Sequence, residues 1–254
     1  MNGLRGIIFD LGNTLMYMGH EWSAVLAQGG RDLAEFLVNK GIEIEPGQFA
    51  DDFISLRRTL YKKSVEQQVE YTADYTLTTL LAQLGYERVS DGLIEQATNA
   101  FFAFEESYWQ PYPESQDTLR ELSERGYRLA LISNATYDPL IQRLVDKGDF
   151  RKWLDMALSS AAVGLRKPHP GIFQMVLDHW GFPPSQVLMI GDVLRFDIAG
   201  AHNSGMKGIL AAWDLYPDYD AEADFVVPDA RVDSLTDLVE VIVVLDEQLS
   251  EGDA

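Results

Sequence analysis

The stretch Ile7-Ile8-Phe9-Asp10-Leu11-Gly12-Asn13-Thr14-Leu15 decides the fold. Its apolar run predicts a buried β-strand, and the Gly-Asn pair that follows predicts a loop. A carboxylate, Asp10, therefore stands where the strand ends. Ligands of open parallel sheets bind beyond the carboxyl ends of the strands. Asp10 is for this reason the first candidate for a functional residue.

Three further segments carry polar side chains in comparable positions. Each of them lies just past the carboxyl end of a predicted strand, as Asp10 does. They read Leu131-Ile132-Ser133-Asn134, Gly164-Leu165-Arg166-Lys167-Pro168-His169-Pro170 and Met189-Ile190-Gly191-Asp192, with Asp197 five residues after Asp192. If these segments meet at one sheet edge, they form a single polar site.

Hydrophobic periodicity divides the chain into two kinds of structure. Between about 21 and 109, apolar residues recur at helical spacing, as in Phe49, Phe53, Leu56 and Leu60, and predict four or five amphipathic helices in a bundle. From Pro111 onward, predicted helices and short strands alternate, which is typical of a parallel sheet covered by helices. We therefore predict an α/β fold, with a Rossmann-like core from 1–16 and 110–254 and a helical bundle domain at 17–109.

The predicted strands after Pro111 are short and mostly apolar, and most are separated by helices. They cover Tyr127–Ile132, Asp155–Leu158, Val187–Ile190, Lys207–Ala211 and Asp224–Val227, with predicted helices at about 114–125, 137–147, 170–180, 197–204 and 233–248.

Composition narrows the classes of function. The chain has 254 residues, no cysteine and a net charge of −20. Nucleic acid is an unfavourable partner for so acidic a protein, and the absence of cysteine excludes disulfides and thiolate chemistry. The apolar runs are shorter than the ~20 residues that span a bilayer. We expect a cytoplasmic protein without membrane association, either a monomer or a homodimer.

The residue types at the four segments favour phosphoryl transfer. The carboxylates of Asp10, Asp192 and Asp197 would repel one another at one site, and Mg²⁺ is the cation that such oxygen ligands favour. Lys167 supplies further positive charge, and Ser133 supplies a hydroxyl for phosphoryl oxygens. Carboxylate, Mg²⁺, lysine and hydroxyl together suit in-line attack on a phosphate ester.

The four segments resemble, in the usual order, the four signature motifs of the haloacid dehalogenase (HAD) superfamily, and 17–109 resembles its helical cap. The resemblance covers about 4–211 and implies a phosphatase of a small phosphorylated metabolite. By this resemblance Asp10 is the nucleophile that forms an aspartyl-phosphate, Ser133 and Asn134 bind the phosphoryl group, and Lys167 neutralises its charge.

The same resemblance implies a Mg²⁺ site and exposes a departure from the family pattern. The expected metal ligands are Asp10, the backbone carbonyl of Gly12, Asp192 and Asp197, the last through water or by orienting Lys167. Most phosphatases of the family have Asp two residues after the nucleophile as the general acid and base. That position is Gly12 here, and general acid–base catalysis contributes typically ~10²–10⁴-fold.

Two other functions remain open at this stage. A 2-haloacid dehalogenase of the same superfamily also lacks the second Asp, but it needs no Mg²⁺ and typically has an aromatic residue where Gly12 stands. A regulatory or binding protein that kept the fold is the other alternative, motivated only by the missing proton carrier. His20 is a possible replacement for that carrier.

Several side chains of the helical region could contact a substrate. Arg57, Arg58, Lys62 and Lys63 follow one another on a predicted helix, and we interpret them chiefly as a solvated face. Tyr17, Met18 and Trp22 follow the first motif, and core packing is the favoured interpretation for them. Arg166 is a candidate contact for the leaving group, and His169, between two prolines, is expected to be structural.

Overall fold

The computed structural model describes residues 3–214 and 226–251. These ranges contain eight strands, and six of them form one parallel sheet in the order β5-β4-β1-β6-β7-β8. The strands are β1 Gly6–Phe9, β2 Met16–Met18, β3 Trp109–Pro111, β4 Arg128–Ser133, β5 Met156–Ser159, β6 Val187–Gly191, β7 Lys207–Ala211 and β8 Ala230–Val232.

Ten α-helices lie within the same ranges. They are α1 Trp22–Asn39, α2 Pro46–Gln67, α3 Ala73–Gln83, α4 Asp91–Tyr108, α5 Ser115–Glu124, α6 Asp138–Lys147, α7 Ser160–Val163, α8 Pro170–Trp180, α9 Ala199–Asn203 and α10 Leu238–Glu251. Among the residues described, no helix combines the length and the apolar character needed to cross a membrane.

Strand β1 lies in the middle of the sheet and is buried along its whole length. It pairs in parallel with β4 on one side and with β6 on the other. The chain thus leaves β1 toward one half of the sheet and later returns to the other half. Such a reversal of strand order opens a crevice at the carboxyl ends of the strands, and Asp10 is the first residue after β1.

The two faces of the sheet are covered by different helices, as the predicted α/β alternation requires. Alternate residues of a strand point to opposite faces, and Ile7 and Phe9 pack in a cluster with α5, α6 and α10. Ile8 packs on the other face, against Phe173 and other apolar residues of α8. The α/β sheet fold predicted from the sequence is therefore confirmed.

Helices α1 to α4 pack chiefly on one another, with α1 against both α2 and α4. Phe53 and Phe101 meet in the centre of this bundle, with ring centroids 5.1 Å apart. Ser90 begins α4 as an N-cap, because its side chain accepts a hydrogen bond from the backbone N–H of Leu93. The predicted amphipathic helices are confirmed.

Several contacts join the helical bundle to the rest of the fold, and two of them involve paired backbone segments. Strands β2 and β3 enter and leave the bundle as an antiparallel pair, and neither strand was predicted from the sequence. A second contact is made by Val69, which bridges Leu165 in an antiparallel arrangement. The backbone N–H of Glu70 donates to the Gly164 carbonyl over 2.9 Å. The bundle is therefore held over the carboxyl edge of the sheet from two sides.

Two expected elements differ from the structure. The predicted helix 197–204 is instead a π-helical turn, Leu194–Ile198, followed by α9. In the predicted strand Asp224–Val227, residues 224 and 225 lie outside the described residues and 226 and 227 are not in a strand. The last strand is β8 instead, where the backbone pairs with β7. The short helix α7 was not predicted.

The packing of α1 against α4 requires a glycine at position 29. A Cβ there would lie 2.5 Å from the backbone oxygen of Phe101. We predict that Gly29→Ala destabilises the protein by about 1–3 kcal/mol through overpacking, which thermal unfolding detects as a Tm lowered by about 3–10 °C.

Gly92 is the matched control for this substitution. It lies in the first turn of α4, and a Cβ there would have no neighbour within 4 Å. Gly92→Ala is expected to leave the Tm unchanged or to raise it slightly, because it restricts the unfolded chain. Equal losses in the two variants would contradict the close approach of α1 and α4.

Candidate active site

The carboxyl ends of β1, β4 and β6 open into a cavity of about 550 Å³, and helices α1, α2 and α4 form part of its opposite wall. All seven site residues predicted from the sequence line this one cavity. They are Asp10, Gly12, Ser133, Asn134, Lys167, Asp192 and Asp197.

Lys167 lies at the centre of the polar end of the cavity. Its side chain is 1% exposed, and its Nζ donates to Asp10 Oδ1 over 2.5 Å and to the Ile132 carbonyl over 2.7 Å. Asp197 Oδ1 lies 2.7 Å from the same Nζ. Burial alone would lower the pKa of Lys167, but the charges of Asp10 and Asp197 outweigh it and raise that pKa. The ammonium group is therefore charged at neutral pH.

Asn134 fixes the backbone of Lys167. Its Oδ1 accepts from the Lys167 backbone N–H over 2.8 Å, and its Nδ2 donates to the Lys167 carbonyl over 3.0 Å. Two reciprocal hydrogen bonds tie the end of β4 to the loop that carries the lysine. Ser133, the last residue of β4, is buried beside them and also lines the cavity.

The carboxylates of Asp10 and Asp192 are buried close enough to repel each other. Burial, helped by the charge of Asp197, raises the pKa of Asp10 to about 6 against the opposing pull of Lys167. Burial and the charge of Asp10 raise the pKa of Asp192 well above its usual range. Asn13 donates from Nδ2 to Asp192 Oδ2 over 3.2 Å. A cation at this edge would relieve the repulsion.

Asp197 is turned toward the protein rather than toward the other two carboxylates. Its Oδ1 faces Lys167, and its Oδ2 accepts from the Val193 backbone N–H over 3.0 Å. Within residues 3–214 and 226–251, no three acidic, histidine or cysteine side chains are grouped closely enough to form a metal cluster by themselves. Asp10 and Asp192, which both line the cavity, remain the candidate carboxylate ligands of a cation at this edge, together with backbone oxygens, water or ligand oxygens.

Gly12 lies beneath an indole ring. A Cβ at this position would come 3.1 Å from Cη2 of Trp109. Trp109 begins β3 and donates from Nε1 to Oε1 of Glu105 over 3.2 Å. A side chain at position 12 would therefore require the indole ring to shift by a few tenths of an ångström.

The four candidate residues between positions 17 and 22 lie in different environments. His20 is exposed and stacks on Tyr108 at 4.4 Å between ring centroids, and it does not line the cavity. Met18 and Trp22 do line it, which agrees with the other possibility for these two, a contact with substrate. Tyr17 does pack, against Tyr112.

The cations of helix α2 separate into two groups. Lys62 and Lys63 are exposed, as expected. Arg57 and Arg58 line the cavity instead, although Arg58 is largely exposed to solvent. Arg57 is half-buried over the rings of Phe101 and Phe102, so its interpretation as part of a solvated face is wrong.

Two buried carboxylates, Glu70 and Glu105, also line the cavity and were not singled out from the sequence. Glu70 Oε2 accepts from Ser160 over 2.7 Å and lies 3.4 Å from Arg166 Nη1, in an ion pair buried on both sides. Burial raises the pKa of both carboxyl groups against the opposing charges of Arg166 and Arg57. Glu105 could have been found, because it lies four residues beyond Phe101 on the apolar stripe of α4.

Comparison with known proteins relates this arrangement to named enzymes. Glyceraldehyde 3-phosphate phosphatase of Methanopyrus kandleri is 24% identical over 241 residues, which are 94% of this chain and 97% of that protein. Phosphoserine phosphatase of Thermus thermophilus is 34% identical over 143 residues, which are 56% of this chain and 55% of that protein.

A solved structure agrees in fold. The 2-haloacid dehalogenase of Pseudomonas syringae pv. Tomato superposes with a TM-score of 0.69 at 22% identity, over 95% of this chain and 99% of that one. The family model of the haloacid dehalogenase-like hydrolases matches residues 4–205. With that match over most of its length and the shared fold, this chain belongs to the haloacid dehalogenase-like hydrolases.

Proposed function

We propose that this chain is a Mg²⁺-dependent phosphatase of a small phosphorylated metabolite and that Asp10 is its nucleophile. The observation that carries the proposal is the buried Asp10–Lys167 pair, which lies in one cavity with Ser133 and Asp192. The curated relatives described above are named as phosphatases of small phosphorylated compounds. The likeness to a dehalogenase, at 22% identity, supports the fold alone.

Asp10 is held in position for attack on phosphorus. Its backbone N–H donates to the Ile190 carbonyl over 2.8 Å, and its Oδ1 is held by Lys167. The other oxygen, Oδ2, attacks, so that an Asp10 O–P bond forms while the bond from phosphorus to the leaving oxygen breaks. Ser133 binds the phosphoryl oxygens, and the ammonium group of Lys167 neutralises their charge. Water then hydrolyses the aspartyl-phosphate.

The donor set at the sheet edge fits Mg²⁺. This ion is usually held by one or two carboxylates plus substrate phosphate and water, and Asp10, Asp192 and the Gly12 carbonyl would hold it here. Its charge would neutralise the phosphate and the repelling carboxylates. Asp197 contributes indirectly, because its two oxygens hold Lys167 and the backbone after Asp192.

Helices α1 to α4, within 17–109, act as a cap on the core formed by 1–16 and 110–254. Side chains from α1, α2 and α4 line the cavity opposite Asp10. A lid of this kind excludes bulk water and large substrates from the reacting groups. The substrate is therefore a small molecule rather than a phosphoprotein.

We predict that phosphate release requires both Mg²⁺ and Asp10. A panel of sugar phosphates, triose phosphates and p-nitrophenyl phosphate is assayed with Mg²⁺ and with EDTA. Asp10→Asn keeps the shape of the side chain but removes the nucleophile, so turnover is expected to fall by ~10³-fold or more. Asp117→Asn, at an exposed position of α5, is the control and is expected to retain full activity.

Two outcomes would contradict this function. Phosphate release that survives both EDTA and Asp10→Asn would exclude the mechanism. Chloride release from 2-chloropropionate without metal, in the absence of phosphatase activity, would identify a dehalogenase.

The indole above Gly12 determines whether the family's usual acid can be restored. We predict that Gly12→Asp alone gives little gain in kcat on alkyl phosphates, because the new Cβ meets Trp109. The same substitution combined with Trp109→Phe, which shortens the ring, is expected to raise kcat, since general acid–base catalysis contributes typically ~10²–10⁴-fold. Trp109→Phe alone is the control.

If Gly12→Asp by itself raises kcat as much as the double variant does, then Trp109 does not prevent an aspartate side chain from fitting at position 12. p-Nitrophenyl phosphate provides an internal reference, because its good leaving group needs little protonation.

A further inference from the structure

The cavity wall formed by the helices carries a cation that the protein leaves without an ion pair. Lys167 is paired with Asp10 and Asp197, and Arg166 is paired with Glu70. Arg57, by contrast, has one side-chain hydrogen bond, from Nη2 to Thr136 Oγ1 over 3.1 Å, and forms no ion pair with any carboxylate in the described ranges.

Arg57 is nevertheless not a free surface side chain. Its guanidinium lies 5.1 Å from the ring centroid of Phe101 and 5.4 Å from that of Phe102. Burial lowers its pKa, and the charges of Glu105 and Glu70 oppose that effect. A guanidinium has five N–H donors in a planar fork that matches a carboxylate. Most of these donors have no partner in the described protein.

A second group beside Arg57 also lacks a partner. Glu105 is 5% exposed and lines the same cavity, and its Oε1 is occupied by Trp109. Its Oε2 is buried without a hydrogen bond. A buried acceptor that is left unsatisfied costs ~1–3 kcal/mol. A donor on a bound ligand would remove that cost.

Asp10 and Arg57 line the same cavity. Asn134 binds the backbone of Lys167, whose Nζ holds Asp10. Thr136, which accepts the hydrogen bond from Arg57, is two residues beyond Asn134. A ligand whose phosphate lies at Asp10 can therefore extend within this cavity toward Arg57.

Building on the proposed function, we propose that the substrate is the phosphate monoester of a short dihydroxy acid, in which the hydroxyl beside the carboxylate stays free. Its carboxylate pairs with Arg57, and the hydroxyl beside that carboxylate donates to Glu105 Oε2. The substrate thus supplies Arg57 with a direct ion pair and Glu105 Oε2 with the donor that it lacks. The phosphate lies at Asp10 and the carboxylate at the opposite wall, so the two ends of the molecule fix its orientation.

A matched pair of substrates tests the role of Arg57. Glycerate 3-phosphate and glycerol 3-phosphate differ only in a carboxylate that replaces a hydroxymethyl group. The expected preference of the wild type for the acid in kcat/KM is about 10- to 100-fold, the size of a hydrogen-bonded charge pair. Arg57→Gln is expected to abolish most of that preference, and Arg57→Lys to retain part of it.

Lys62→Gln is the control variant, because it removes a cation from the exposed side of the same helix. It is expected to keep the full preference. A wild type that favours glycerol 3-phosphate, or an Arg57→Gln variant that keeps the preference, would overturn the proposal. Absence of phosphate release from every ester would instead count against the phosphatase function itself.

Glu105→Gln tests the second contact and retains an oxygen for Trp109. The substrates are glycerate 3-phosphate and 3-hydroxypropionate phosphate, which lacks the second hydroxyl. The wild type is expected to favour the first by about 10-fold, and the variant is expected to lose this preference while it still prefers acids over alcohols. An unchanged preference in Glu105→Gln would exclude the contact.

Discussion

A lysine ammonium buried between two carboxylates is the interaction on which the site depends. Lys167 Nζ lies within 2.7 Å of oxygens from Asp10, Asp197 and Ile132. An isolated charge in a protein interior is very costly, and it is tolerated only when it is paired and hydrogen-bonded. The partners come from β1, β4 and the turn after β6, so the ion pairs form only when these three segments of the chain are assembled correctly. The same contacts that stabilise the sheet edge therefore place the reacting groups.

The motifs could be predicted from the sequence because each is local. An apolar run that ends in a polar loop defines both the strand and the position of its last side chain. This was enough to bring Asp10, Ser133, Lys167 and Asp192 to one edge. Contacts between distant segments were not predictable in this way. Nothing near Gly12 in the sequence indicates that Trp109, almost a hundred residues later, covers it.

Helical periodicity in the sequence likewise did not predict contacts between distant segments. It identified α2 and its apolar stripe, but a stripe does not show what a residue at its border contacts. Arg57 lies at such a border, and the fold of the bundle over the sheet turns it into the cavity beside Thr136. The pairing of Glu70 with Arg166 likewise depends on the contact of Val69 with Leu165, which joins two segments almost a hundred residues apart.

The two ends of the cavity present different kinds of side chain. The sheet edge gathers carboxylates, an ammonium group and a hydroxyl, which suit phosphoryl transfer whatever the rest of the substrate is. The wall of helices carries Arg57 and Glu105 among aromatic side chains, and in the function proposed above it contacts the part of the substrate that does not react.

The most direct test of the central claim is the identity of the atom that receives the phosphoryl group. The enzyme is mixed with its best substrate and Mg²⁺, quenched in acid within one turnover, digested and analysed by mass spectrometry. We expect the mass of one phosphoryl group on the peptide that contains Asp10, and its absence in Asp10→Asn. A phosphoryl group on Ser133 or on any other residue would contradict the role of Asp10. Turnover without a covalent adduct would also contradict it, under conditions in which hydrolysis of the intermediate is shown to be the slow step.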